Sequence, residues 1–269
     1  MTQADTLTRI GAALRALAVG DALGRVTEHY APEEILEVYE DIITDFVEPV
    51  RLFDEEQWEA GEIGPPTAIV LEAVERGGVW PGATSANVAH LSAGVAVGLS
   101  RPLAPLLDEI HGDGPLAAVA AGTAAAVDGY PFIEIVAAAA RAARLAHDDD
   151  LAETILQAGG LGQASGGRLA GAVLRARFPP DGGSRSVVPF VFGIVYALQS
   201  ARRAIIDAVN QGGHAPETAA IAGAVCAAAL PVTLPPSWWA VVAQANPNLD
   251  LERAARRLVA LRERYSHPT

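Results

Sequence analysis

The sequence predicts an all-α protein, a compact bundle of many helices forming one domain over residues 1–269. Three observations predict it. Apolar residues recur at helical spacing almost throughout. Runs that alternate with period two are scarce, and the β-branched residues mostly sit at helical spacing as well. The chain is 51% hydrophobic but only 6% aromatic, so small side chains fill the apolar positions and let helices approach closely. No 20–50-residue repeat and no long linker divides it.

Leu7, Ile10, Leu14, Leu17 and Ala18 mark one face of a first helix that ends near Gly20 to Gly24. Pro32 opens a second, with Ile35, Leu36 and Tyr39 directed inward. The acidic stretch from Thr44 to Pro66 reads as a long loop, and Thr67–Arg76 as a helix closed by Gly77-Gly78. Further helices are expected over Ser85–Leu99, Leu116–Val127, Phe132–Ala146, Asp150–Gln157, Arg168–Ala176, Val187–Val209, Glu217–Leu230, Trp238–Gln244 and Leu249–Tyr265. Gly159 to Gly167 and Asp181-Gly182-Gly183-Ser184 read as breaks between them. His90, Cys226, Trp238 and Trp239 are expected in the core or in packing roles.

Composition excludes several chemistries. All 19 basic residues are Arg, which removes Schiff-base catalysis by lysine, covalent pyridoxal phosphate and a P-loop lysine. The single Cys rules out a disulfide framework and a cysteine-ligated zinc or iron–sulfur site. A net charge of −13 repels phosphate backbones, so no nucleic-acid partner is expected. The polar, acidic start carries no export signal and no apolar run is long enough to span a bilayer, so a cytoplasmic chain without membrane contact is expected.

Two segments carry the candidate chemistry. Gly20-Asp21-Ala22-Leu23-Gly24, followed by Glu28, sets a carboxylate beside a glycine-rich turn where a ligand could approach; Glu28 also reads as an ordinary exposed acid before a Pro-initiated helix. Asn210-Gln211-Gly212-Gly213-His214-Ala215-Pro216-Glu217 places free N–H groups at a helix start, suited to an anion or a sugar hydroxyl. His214 reads either as an acid/base or as a helix cap, and Pro216 and Glu217 suit a first turn.

Together these segments resemble the ADP-ribosylglycohydrolase family over nearly the whole chain. Gly-Asp-Ala-Leu-Gly with its downstream Glu, Gly112-Asp113-Gly114, His147-Asp148, Ala-Val-Asn-x-Gly-Gly followed by Thr-Ala-Ala-Ile-Ala-Gly-Ala, and Pro-Pro-Ser-Trp near the end occur in the family's order. The resemblance implies an orthogonal multi-helix bundle with a central cleft. It also implies a centre of two magnesium or manganese ions, held in the family by Thr-Asp-Asp-Thr, an early Glu and a late Asp-x-Asp-Thr. This chain has Gly64-Pro65-Pro66-Thr67 and His214-Ala215-Pro216-Glu217 at those places. Proline offers no side-chain ligand, whereas hard divalent cations need several oxygens. No metal and no other cofactor are therefore expected.

The residue assignments follow. Glu28, His214, Asp21 and Glu217 are the expected catalytic group, with Glu28 and His214 forming a pair in which each favours the other's charged form. Asp113, His111, Asn210, Gly212, Gly213, Tyr30 and Trp58 are expected to bind ligand, the two aromatics by stacking. Asp148, Asp149 and Asp150 are expected to serve a helix N-terminus. The preferred reading is a metal-independent acid/base enzyme acting on a glycoside, a nucleotide-like molecule or a specialised metabolite. A non-catalytic ligand- or protein-binding relative is the second reading, and a metal-dependent ADP-ribosyl hydrolase with displaced ligands the third. A small molecule in the central cleft is the expected partner; the sequence does not fix the oligomeric state.

Overall fold

The computed structural model describes residues 2–47, 59–80, 88–165 and 170–266. Among them are fourteen α-helices and no strand: α1 Gln3–Gly24, α2 Pro32–Tyr39, α3 Pro65–Glu75, α4 Leu91–Ser100, α5 Leu103–Asp108, α6 Gly114–Asp128, α7 Phe132–Leu145, α8 Asp149–Ala164, α9 Ala170–Arg177, α10 Ser184–Leu198, α11 Ala201–Val209, α12 Ala215–Ala229, α13 Pro236–Ala245 and α14 Leu251–Ser266. The all-α bundle is thus the observed architecture.

Its axis is α12. Every residue of α12 is buried, as expected of a helix that is almost wholly small and apolar beyond Glu217 and Thr218 in its first turn. Helices α1, α4, α6, α10 and α11 pack around it. The α1–α12 contact is the most extensive. A Cβ on Gly20 would stand 2.5 Å from the Ala219 carbonyl carbon, and one on Gly24 2.5 Å from the Pro216 nitrogen. On the α12 side, a Cβ on Gly223 would meet the Ala16 oxygen at 3.1 Å. The pairing order runs backwards, so the helices are antiparallel and the C-terminal end of α1 meets the N-terminal end of α12. That arrangement gives Gly20 and Gly24 their role. Both lie inside α1, where glycine costs roughly 1 kcal/mol against alanine, and backbone contact between helices compensates. The expected ligand-facing turn is instead the last buried turn of a helix.

Caps set several boundaries. Asp113 accepts from the Leu116 N–H at 3.1 Å at the head of α6, and Asp148 accepts from Leu151 at 3.1 Å at the head of α8. Asp148 also binds Arg185 at 2.6 Å and Asp149 binds Arg144 at 3.2 Å, so these acids serve the fold as expected. Among the described residues the buried side-chain atoms Asp21 Oδ1, Trp80 Nε1, Ser92 Oγ and Glu217 Oε2 lack a hydrogen-bond partner.

Several expectations are corrected. The segment Val187–Val209 is two helices, broken at Gln199, which adopts a left-handed φ of 50°. The glycines at 159, 160 and 162 lie inside α8; a Cβ at Gly162 would strike the Gly193 oxygen at 2.4 Å, so Gly162 admits α10, while a Cβ on Gly160 would meet nothing. Leu36 is half exposed and Ile35 alone is buried in α2. His90 is exposed at the start of α4. The short α5 had no sequence expectation. Cys226 and Trp238 are buried.

Candidate active site

The antiparallel α1–α12 contact brings the two candidate segments together. Directly after α1, a 3₁₀ turn over Arg25–Thr27 leads to Glu28 and His29. This loop is stitched to the glycine pair before α12: the His29 N–H donates to the Gly213 carbonyl at 2.9 Å and the Gly213 N–H to the Tyr30 carbonyl at 3.1 Å. A Cβ on Gly212 would lie 1.9 Å from the Tyr30 oxygen, and both glycines have φ near +60° (63° and 65°). Only glycine fits there.

The same stitching corrects the expected binding role of Gly212 and Gly213. Their N–H groups bond Val209 and Tyr30, and the His214 N–H bonds Pro180 at 3.0 Å. No free donors remain at those three positions for an anion. Asn210 is likewise committed: its amide clasps Ile43 through Oδ1 at 2.8 Å and Nδ2 at 2.7 Å, and reaches the Ile206 carbonyl at 2.8 Å. It anchors the acidic loop rather than facing a cleft. Tyr30 is half-buried beside the glycines; Trp58 lies outside the described residues.

Asp21 is fully buried. Its Oδ2 accepts from Thr67 Oγ1 at 2.5 Å, the Thr67 N–H at 2.9 Å and the Gly64 N–H at 3.0 Å, while Oδ1 has no partner. Asp21 thus clamps the head of α3 to α1. Burial pushes its carboxyl up to about 6, against the pull of those donors and of the Arg25 charge. Glu217 sits in the first turn of α12 with its side chain 8% exposed. Burial, reinforced by the charges of Glu28 and Asp21 and opposed by its own backbone N–H, pushes it up to about 7. Its Oε2 is buried and unpartnered.

The histidine expectation changes. His214 Nδ1 lies 4.0 Å from Glu217 Oε2, while Glu28 Oε1 is 3.6 Å from His29 Nε2. The pairing expected between Glu28 and His214 is therefore divided between two other contacts. His214 occupies the N-cap position of α12 but makes no side-chain cap. Burial and the neighbouring His29 lower its pKa, against the charges of Glu28 and Asp181. Burial outweighs attraction here, favouring a neutral His214 imidazole and a protonated Glu217 carboxyl over an ion pair, the reverse of mutual charge stabilisation.

Asp113 and His111 lie elsewhere. Asp113 lines a cavity of about 400 Å³ with Glu72, Arg76, Trp80 and His90, between α3, α4 and α6. The exposed His111 bonds the Glu109 carbonyl at 2.6 Å and its ring lies 6.1 Å from that of Trp80. This cavity shares no lining residue with the Glu28–His214–Glu217 group. Sequence reasoning missed Thr67 and Arg25 as partners of Asp21, and Asp181 and His29 as charges facing His214; these come from three separate segments, which helix packing brings together.

The donor set does not fit a pair of hard cations. The first turn of α3 presents Pro65 and Pro66, Asp21 spends one oxygen on three donors, and no group of three His, Cys, Asp or Glu side chains is arranged to hold a metal among the described residues. Nor is any helix among them long and apolar enough to cross a membrane.

The sequence matches the family model described as ADP-ribosylglycohydrolase over residues 2–268. A solved structure described as an "ADP-ribosylglycohydrolase-related protein complex" aligns with 96% of this chain and 99% of its own, at 16% identity and a TM-score of 0.49. No curated protein matches the sequence.

Proposed function

As the chain belongs to the ADP-ribosylglycohydrolase family, we propose that it hydrolyses a glycosidic bond by carboxylate chemistry that needs no divalent cation. The substrate is a glycoside, a nucleotide-like molecule or a specialised metabolite. The observation that supports this is Glu217: a buried carboxyl raised to about 7, with an oxygen that no protein group satisfies. A carboxyl kept protonated near neutrality can donate to a leaving group, and a raised acid beside an ionised one is the arrangement glycosidases use.

In this reading Glu217 Oε2–H protonates the departing atom as the bond to the anomeric carbon breaks. Glu28, partly open to solvent at 35% side-chain exposure, faces the developing positive charge and takes a proton from the water that adds to that carbon. The proton then returns to Glu217, so the cycle closes without a co-reactant. Asp21 acts as a positioning residue that fixes α3 against α1. His214, kept neutral, leaves Glu217 protonated instead of drawing its proton into an ion pair.

The test is hydrolysis of a panel of N- and O-ribosides and ADP-ribosylated arginine, run in chelator and in millimolar magnesium or manganese. The expected rates agree within about twofold, because no metal-activated water is used. Stimulation of roughly tenfold or more by either ion would contradict the proposal.

A further inference from the structure

A hollow of about 770 Å³ lies between the first half of α1, Trp239 of α13 and the turn entering α14. That volume suits a small organic ligand. It shares no residue with the Glu28–His214–Glu217 group.

Four charged residues line it, Arg15, Arg256, Asp250 and Glu252, and their formal charges balance; what sets Arg15 apart is its lack of a partner. Asp250 caps α14 by accepting from the Arg253 N–H at 2.9 Å, and Glu252 holds Arg256 at 3.4 Å. Both acids are thereby engaged. Arg15 remains: half-buried on the wall, it has no hydrogen bond or ion pair among the described residues. A partly desolvated guanidinium without an acceptor is unfavourable, and its fork matches a carboxylate or phosphate edge. A chain of net charge −13 has many acids to offer, yet none is placed against this arginine.

The remaining walls are flat or apolar. Trp239 is half-buried, Leu7 is 39% exposed, and Leu249 and Ala255 line the hollow with them. Gly11 lies between Leu7 and Arg15 on the same stripe of α1, and a Cβ there would meet Arg15 Nη2 at 3.7 Å, so the guanidinium lies back along the helix over this glycine. An indole and an unpaired guanidinium lining one hollow favour a planar ring carrying one anionic group.

We propose that this hollow is a binding site for a small planar aromatic anion, its charge on Arg15 and its ring against Trp239. The acid group is a carboxylate or a phosphate ester, which share the two-oxygen edge that the guanidinium reads.

Calorimetric titration tests this with indole-3-acetate as the carboxylate, phenyl phosphate as the phosphate ester and indole-3-acetamide as the neutral counterpart. One of the anions is expected to bind once per chain, and the amide about tenfold or more weakly, the usual worth of a charge-assisted bond. Arg15→Gln is expected to weaken the anion by about tenfold or more with the melting temperature unchanged, and Glu217→Gln to leave binding untouched. On the wild-type chain, the bound anion should also shield Arg15 from phenylglyoxal. Failure of both anions to bind at millimolar concentration would overturn the proposal. So would full affinity in Arg15→Gln, loss of binding in Glu217→Gln, or unprotected Arg15 under saturating ligand.

Discussion

Glu217→Gln should lower kcat by about 10²–10⁴-fold, the usual contribution of a positioned general acid, while the chain stays folded. Glutamine keeps the shape and the buried polar end but has no acidic proton. The wild-type rate should fall as pH rises through about 7, as the Glu217 carboxyl ionises. Stability gives an independent readout with a definite sign. A carboxyl raised in the folded state contributes stability that is complete below its ordinary pKa of 4.5 and is lost as pH rises through about 7. Asp21 and Asp207, each raised from 3.8 to about 6 by burial, act in the same direction at lower pH. His214, lowered from 6.5, acts in the opposite one and only as pH falls through its depressed value. Urea unfolding should therefore show the wild type losing stability from pH 5 to pH 8. Glu217→Gln should lose less, by on the order of 2 kcal/mol.

Gly24→Ala should destabilise the fold by about 2–3 kcal/mol, as overpacking in a tight interior does. The sign is informative, since alanine inside an isolated helix would gain roughly 1 kcal/mol over glycine. Here the added Cβ lands 2.5 Å from the Pro216 nitrogen and 2.6 Å from the Ala215 carbonyl, which are backbone and cannot rotate aside. The helices must separate at the place where Asp21 and Glu217 are brought together, so hydrolysis should fall along with stability. In thermal melts the loss corresponds to roughly 5–10 °C for a chain of this length. An unchanged or raised melting temperature would show that the close α1–α12 approach does not hold this end of the bundle.

How much of this was legible in the sequence depends on the range of the interaction. Local signals read well: the leucine spacing of α1, Pro32 opening α2, and Asp148 at the head of α8 act within one or two turns, whereas the cap that Asp113 gives α6 was not read. Interactions between distant segments did not. Gly20 and Gly24 look like a turn until α12 is laid against them, and the glycines of α8 look like a break until α10 is. Gln199 ends α10 in a left-handed conformation that the sequence has no glycine to announce. For the site, Asp21, Glu28, His214 and Glu217 were found as a group because two motifs named them together. Their pairing was not found, since whether an acid and an imidazole attract or neutralise depends on burial, which no spacing encodes. The clamp from Asp21 to Thr67 and Gly64 joins positions 43 and 46 residues apart.

The most direct measurement is the titration of the Glu217 side-chain carboxyl by carbon-13 NMR, with Glu217→Gln used to assign its resonance. The account predicts a midpoint close to 7, unchanged by millimolar magnesium. A midpoint near 4.5, or one that magnesium drives downward, would mean that Glu217 is an ordinary carboxylate or a cation ligand and not the proton donor.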